Sequence, residues 1–194
     1  MVLSPSRTVS PFPAWISGLG TVLAGYRYSK IAAEKAAWAF AETKPGFEVI
    51  TINPPLVLGP NLQDYDGMDD LNQSSLTILN YMTGKVAKYP GGSMGFVAVE
   101  DVAKAHILVW EAAERASGRY LCSGASATWG DVCSTLRDVF GEHARVPTEC
   151  AAEGQQPLMT LDCTKLKELG MEFIGLRGML QRQGESLLAK GLLS

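Results

Sequence analysis

Strong helix-forming segments alternate with short β-branched segments along most of this chain. Residues 28–42 are rich in alanine, glutamate and lysine, which predicts a helix that ends before Pro45. Residues 47–53 are rich in β-branched and aromatic side chains, which predicts a strand that stops at two prolines. Residues 95–99 again predict a strand, and a helix with an acidic start follows from Glu100. Alternating strands and helices are typical of an α/β fold with a mainly parallel sheet.

The remaining patterns extend this alternation. They predict helices over residues 72–83, 129–140 (capped by Thr128), 164–169 and 176–190, a strand over 118–122, and an extended segment over 158–161.

The composition excludes several function classes. The chain has 194 residues, a formal net charge of −3 and no basic run, which argues against nucleic-acid binding. No apolar run approaches the roughly 20 residues that span a bilayer, and the first residues lack a signal-peptide pattern. No two of the four cysteines form a CxxC pair, and this spacing predicts reduced thiols rather than a metal site. We therefore expect a cytoplasmic protein that binds neither metal, membrane nor nucleic acid.

The spacing of Tyr26 and Lys30 has chemical value. Residues four apart in a helix lie on the same face, one turn from each other. An ammonium group held beside a phenol favours the phenolate, so such a tyrosine can exchange a proton with the oxygen of a carbonyl or an alcohol. The chain contains a second match to this pattern, Tyr81 and Lys85, but the helix is predicted to end at Gly84. We interpret the second match as accidental.

Four segments in order resemble a known family: YRYSKIAAEKAAWAFAE, INPPLVLGPNLQ, NQSSLTILNYMTGK and FVAVEDVAKAHILVWE. Together they resemble the extended short-chain dehydrogenase/reductases, in particular the dihydroflavonol reductase and cinnamoyl-CoA reductase-like enzymes of plants. The resemblance implies an α/β fold: a partial Rossmann-type parallel sheet with a small mixed α/β substrate lobe. Residues 1–60 would form the carboxy-terminal part of the Rossmann domain. Residues 61–194 would mix substrate-lobe and remaining Rossmann elements.

The resemblance also implies roles for individual residues. Tyr26 matches the family's proton donor, and Lys30 matches the lysine that binds the nicotinamide ribose. Ser6 matches the serine that orients the substrate carbonyl. The implied activity is reduction of a small-molecule carbonyl (an aldehyde, ketone or acyl-CoA) of phenylpropanoid or flavonoid type. The implied cofactor is NADP, with NAD not excluded.

A second group of residues matches family positions that contact the cofactor. Pro54, Pro55 and Leu56 match a turn against the nicotinamide, and Ser74 matches a serine near the cofactor phosphates. Each has a structural alternative: the two prolines could simply end a strand, and Ser74 could be a solvated residue of a first helical turn.

The chain departs from the family at the phosphate-binding turn. Its sequence contains no GxGxxG motif, and the nearest approach, Gly18-Leu19-Gly20, has Leu23 at the third glycine position. The gap between Ser6 and Tyr26 is also shorter than in the plant reductases. An alternative interpretation is therefore a catalytically silent remnant that associates with itself or with a full-length relative.

A remote alternative is a serine hydrolase, because residues 91–95 fit the GxSxG pattern around Ser93. A nucleophile elbow needs a strand before its serine and a helix after it. Here Pro90 precedes the motif and a strand pattern follows, which predicts a glycine turn instead. Of the two histidines, His106 is predicted to be a core or boundary residue and His143 to lie on the surface.

Overall fold

A computed structural model describes residues 19–63, 70–112, 115–151 and 158–193. The chain divides into two units between Val49 and Ile50, and each is described here by itself.

The described part of the first unit, residues 19–49, contains one long helix and the turn after it. Helix α1 spans Leu19–Glu42, so the prediction of a start near Tyr28 is wrong. Most residues just before Tyr28 tolerate a helix, and the single interior glycine there, Gly25, costs only about 1 kcal/mol. The predicted end is confirmed: after Glu42 the chain turns at Gly46, where φ is 78°.

Among the described residues, the second unit contains five strands and five α-helices, and a short 3-10 helix, Gly141–His143, follows the fourth helix of the chain. The strands are β1 (Ile50–Asn53), β2 (Leu56–Leu58), β3 (Ser93–Ala98), β4 (Gly118–Leu121) and β5 (Ala125–Thr128). The helices are α2 (Gln73–Met82), α3 (Val99–Glu111), α4 (Trp129–Phe140), α5 (Thr164–Glu168) and α6 (Leu176–Ala189).

The strands form two small sheets. β1 pairs with β4 in parallel, and the connection between them includes α3, as parallel strands require a crossover. In the second sheet β3 lies between β2, which is parallel to it, and β5, which is antiparallel. The predicted α/β class is confirmed, and β5 makes the second sheet mixed.

The central strand β3 separates two hydrophobic clusters. Phe96 and Ala98 pack into one cluster with buried residues of α2, α4 and α6, and Val97 packs into the other with residues of α3 and α5. All three are fully buried. Since successive side chains of a strand point to opposite faces, this one sheet serves both cores.

Several predicted boundaries are confirmed by cap geometry. Asn72 caps α2, and its side chain accepts a hydrogen bond from the backbone N–H of Ser75. Thr128 and Asp131 form a reciprocal capping box at the start of α4. The predicted strand at 47–53 is shorter than expected, because only Ile50–Asn53 is paired. β2 and β5 were not predicted as strands.

Three of the four cysteines are buried, as expected for reduced thiols in the core of a protein. Cys122, Cys133 and Cys163 are buried and Cys150 is exposed, and all four are free thiols. Within the described residues, no helix is both long and apolar enough to cross a membrane.

Candidate active site

The Tyr26 and Lys30 side chains meet on one face of α1. The Lys30 Nζ atom lies 5.5 Å from the centroid of the Tyr26 ring, within the range of a cation–π contact. Both side chains are exposed, with 59% of the Tyr26 surface accessible. Because α1 starts well before Tyr26, both residues lie inside regular helix, and the four-residue spacing has its full geometric effect. The phenol is thus held beside a positive charge and is open to a reactant.

Pro54 and Pro55 lie where the chain passes from one sheet to the other. β1 ends at Asn53 and β2 starts at Leu56, so the two prolines connect a strand of the first sheet to a strand of the second. Pro54 is exposed and Pro55 is half-buried. A Cβ atom on Gly95 of β3 would lie 2.9 Å from the Pro55 Cβ atom, so a glycine there lets the two segments approach closely. The two prolines therefore end β1, and they also form a connection from β1 to β2 that packs closely against β3.

This connection begins at the carboxyl end of β1, a strand that is parallel to β4. Open α/β sheets bind ligands at the carboxyl ends of their strands. Since β1 and β4 are parallel, both end at the same sheet edge, and Cys122 just after β4 donates its N–H to the carbonyl of Asn53. Pro54 to Leu56 thus start at the edge where a nucleotide would be expected.

Ser74 lies in the first turn of α2, half-buried. Its hydroxyl donates to the Asn72 Oδ1 atom at 2.9 Å, the same oxygen that caps the helix through Ser75 N–H. The orientation of Ser74 is therefore coupled to the helix cap, and its side chain is half-buried and hydrogen-bonded.

A buried polar network that the sequence reading missed joins this region to α6. Gln183 is 1% exposed, accepts from the backbone N–H of Gly59 at 3.0 Å and donates to the Ser75 hydroxyl at 3.3 Å. The signal in the sequence was a glutamine among buried Leu180, Gly184 and Leu187, on the apolar face of an amphipathic helix. A polar residue at a core position commonly has a specific partner.

Two acidic residues start α3, close to the same segment. The Asp101 side chain is buried and accepts from the backbone N–H of Ile174 at 2.8 Å. Burial raises the pKa of the Asp101 carboxyl above its usual range, although the Ile174 N–H acts in the opposite direction. Glu100 forms an ion pair with Arg182 of α6 at 3.1 Å.

The two other serines that the sequence analysis singled out are Ser6 and Ser93. Ser6 lies outside the described residues. Ser93 starts β3, so a strand follows it, and its hydroxyl accepts from the backbone N–H of Met159 at 2.6 Å. The strand–serine–helix order of a nucleophile elbow is therefore not present at Ser93.

The histidines differ in outcome. His143 is exposed, as predicted. His106 is also exposed, so the predicted core or boundary position is wrong. Its Nδ1 atom lies 2.8 Å from the carbonyl oxygen of Val102. Its neighbour Ala105 points into the core instead. Within the described residues no cluster of His, Cys, Asp or Glu side chains could hold a metal ion.

An α/β architecture with a turn at the carboxyl end of a parallel strand is typical of Rossmann-type folds, and comparison with known proteins specifies the family. Residues 20–122 match the NAD dependent epimerase/dehydratase family. The chain belongs to this family, which confirms the resemblance to the extended short-chain dehydrogenase/reductases.

Individual relatives agree with this assignment. Cinnamoyl-CoA reductase 1 of Petunia hybrida is 41% identical over 170 residues, which are 87% of this chain and 49% of the relative. Vestitone reductase from alfalfa (Medicago sativa) has a TM-score of 0.73 and 27% identity, covering 87% of this chain and 53% of that structure. The yeast methylglyoxal/isovaleraldehyde reductase Gre2, solved with NADPH, has a TM-score of 0.67 and 30% identity, covering 82% of this chain and 50% of that structure. The chain thus spans about half the length of the relatives it matches.

Proposed function

We propose that this chain carries the proton-donor and nicotinamide-contacting part of an NADPH-dependent reductase that acts on a carbonyl of phenylpropanoid or flavonoid type. The observation that carries the proposal is the Lys30 ammonium held 5.5 Å from the Tyr26 ring on an exposed helix face. The similarity to cinnamoyl-CoA reductase supports the substrate class, and the similarity to an NADPH complex supports the cofactor.

The residues present fit a nicotinamide cofactor at its reactive end. The segment Pro54–Leu56 leaves the carboxyl end of a parallel strand, and Ser74 provides a hydroxyl at the start of a helix whose N-terminus favours negative charge. In this proposal Pro54, Pro55 and Leu56 lie against the nicotinamide, Ser74 lies near the phosphates, and Lys30 holds the ribose. NADPH, when bound, supplies the hydride.

The chain's own residues then manage the proton. The carbonyl carbon gains a hydride, and its oxygen gains a proton from the Tyr26 hydroxyl, so that a ketone or aldehyde becomes an alcohol. Lys30 stabilises the phenolate that remains on Tyr26, because a nearby ammonium group favours the charged form of a phenol. Ser6 orients the carbonyl oxygen through its hydroxyl.

The test is a titration of the purified chain with NADPH, followed by the fluorescence of the reduced nicotinamide. We expect saturable enhancement, and we expect Lys30→Ala to weaken binding about tenfold because a charged contact to the ribose is lost. Lys35→Ala is the matched control, since Lys35 is an exposed lysine of the same helix on a different face.

Two outcomes would contradict the proposal. If the unmodified chain shows no enhancement at millimolar NADPH, the chain does not bind the cofactor and the alternative of a catalytically silent remnant is favoured. If Lys35→Ala weakens binding as much as Lys30→Ala, the effect is general charge loss and Lys30 does not bind the ribose.

A further inference from the structure

One face of α6 contacts alternate residues of an extended segment. Gln183 and Ser186 accept hydrogen bonds from the backbone N–H groups of Gly59 and Asn61, at 3.0 and 3.1 Å. Four positions after Ser186, at the C-cap of α6, Lys190 donates to the carbonyl oxygen of Gln63. Side chains from this end of the helix therefore form hydrogen bonds with the backbone of residues 59, 61 and 63.

Gln183 has a special place among these contacts because it is buried. Its side chain is 1% exposed, and each end of its amide has a partner, Gly59 N–H and the Ser75 hydroxyl. A buried amide without partners is destabilising, so the side chain is stable here only while Gly59 and Ser75 keep these positions. A methionine or leucine would fill a similar volume but would form no hydrogen bond that fixes the position of Gly59.

Gly59 shows how closely the segment is fitted. Its φ is 150°, and a Cβ atom there would lie 2.6 Å from the Val99 Cγ1 atom. The chain thus passes directly against the start of α3, and the Gly59 N–H faces Gln183. Gly59 directly follows β2 and lies three positions after Leu56, so fixing Gly59 also fixes the end of the turn proposed to contact the nicotinamide.

The same network extends to Ser74. The Ser75 hydroxyl, which receives the Gln183 Nε2 donor, also exchanges hydrogen bonds with the Asn61 amide at 2.8 and 3.1 Å. The Asn61 Oδ1 atom accepts from the Asn72 Nδ2 atom at 3.0 Å, and Asn72 Oδ1 accepts from Ser74. Four hydrogen-bonded steps therefore connect Gln183 to Ser74.

We propose that Gln183 is a positioning residue for cofactor binding. Through Gly59 it sets the turn Pro54–Leu56, and through Ser75, Asn61 and Asn72 it sets Ser74. Gln183 itself touches no reactant. This inference rests on the proposed function, because it assigns a role to contacts that the proposal places at the cofactor.

The test compares two equivalent substitutions on one helix. Gln183→Met keeps the size and apolar contacts of the side chain and removes both hydrogen bonds. Gln181→Met makes the same chemical change at an exposed position, where the glutamine donates a hydrogen bond to Glu185 of its own helix. We expect the dissociation constant for NADPH, measured by nicotinamide fluorescence, to rise about five- to tenfold in Gln183→Met and to stay within a factor of two in Gln181→Met.

Two further variants separate positioning from loss of stability. Leu166→Ala opens a cavity in the cluster of α3 and α5, which contains none of the hydrogen-bonded residues of the network, and lowers the melting temperature. Ser186→Ala is tolerated by a helix and removes only the acceptor for Asn61 N–H, so it should fold and raise the NADPH dissociation constant about threefold.

The outcomes are distinguishable. If the unmodified chain fails to bind NADPH, the proposed function fails, and this inference fails with it. If the unmodified chain binds and Gln183→Met and Ser186→Ala bind equally well, Gln183 has a packing role alone and only this inference is overturned. If Leu166→Ala weakens binding to the same extent at an equal loss of melting temperature, the effect is general destabilisation, which also overturns the inference.

Discussion

The same five-residue pattern occurs twice in this chain and has two different structures. Tyr26 lies inside α1, is 59% exposed and has the Lys30 Nζ atom over its ring. Tyr81 lies at the end of α2 and is 4% exposed, with its ring stacked on Trp129 at a centroid distance of 4.8 Å and an interplanar angle of 9°. The first tyrosine is accessible to a reactant, and the second is part of the core.

The difference arises from the residues between each tyrosine and its lysine. Between Tyr26 and Lys30 the chain is helical throughout, with the Ser29 hydroxyl donating to the Tyr26 carbonyl at 2.7 Å. After Tyr81 the helix ends, and Gly84 takes a φ of 75° that favours glycine. The Lys85 N–H then donates to the carbonyl of Asn80, which closes the helix. A spacing of four has geometric meaning only where the helix continues.

The largest expected difference between the two tyrosines is catalytic. Tyr26→Phe removes the proposed proton donor and should lower the rate of carbonyl reduction about 10²- to 10⁴-fold, as expected for loss of a general acid. Tyr81→Phe keeps the ring stacked on Trp129 and should leave the rate within a factor of two. The measurement is NADPH oxidation with an aldehyde or acyl-CoA substrate, and NADPH binding should be unchanged in both variants. Equal rates for Tyr26→Phe and the unmodified chain would remove Tyr26 from the mechanism.

The next largest difference is in folding stability, and here the substitution of Tyr81 should have the larger effect. Tyr81→Ala deletes a buried aromatic ring and its stacking on Trp129, and should lower the free energy of unfolding by about 3–5 kcal/mol. Tyr26→Ala truncates an exposed side chain and should change it by no more than about 0.5 kcal/mol.

Urea unfolding followed by circular dichroism measures both variants. A loss of several kcal/mol in Tyr26→Ala would mean that the Tyr26 ring is packed in the folded protein, which would contradict the accessibility that the proposed chemistry needs.

Much of this contrast could be predicted from the sequence, because local signals decide it. Gly84 marks the end of α2, and the alanine-rich run after Lys30 extends α1. Similarly, the threonine and aspartate of the α4 capping box lie three positions apart and identify the start of that helix. These features depend only on neighbours in the chain.

What could not be predicted depends on contacts between distant residues. Strand β5 contains Ala125, Ser126 and Ala127, which have little intrinsic preference for a strand, and it exists because it pairs with β3. The partners of Gln183 lie more than a hundred positions away in sequence. The side chain of His106 lies in a helix with apolar neighbours, but which face of that helix is buried depends on the sheet beneath it.

The smallest difference should appear in alkaline solution and tests the burial of Tyr81 directly. Burial, with a smaller contribution from Cys133, raises the pKa of Tyr81 from 10 to about 12. The folded state therefore retains the phenolic proton at pH values where the unfolded chain has lost it. By linkage, the stability due to this group is fully present below pH 10 and is lost as the pH rises from 10 towards 12, by at most about 3 kcal/mol.

Tyr81→Phe removes this contribution, so its free energy of unfolding should fall less steeply between pH 10 and 11 than that of the unmodified chain. The buried thiols do not obscure the comparison: burial raises the pKa of Cys122 to about 12 and that of Cys133 to about 11, and both thiols are present in both proteins. Tyr28→Phe is the control, because it removes the hydroxyl of a tyrosine that is 67% exposed. Urea unfolding at pH 9, 10 and 11 measures the three slopes. Parallel slopes for Tyr81→Phe and the unmodified chain would mean that the Tyr81 hydroxyl reaches water, and the two tyrosines would then differ in helix position but not in burial.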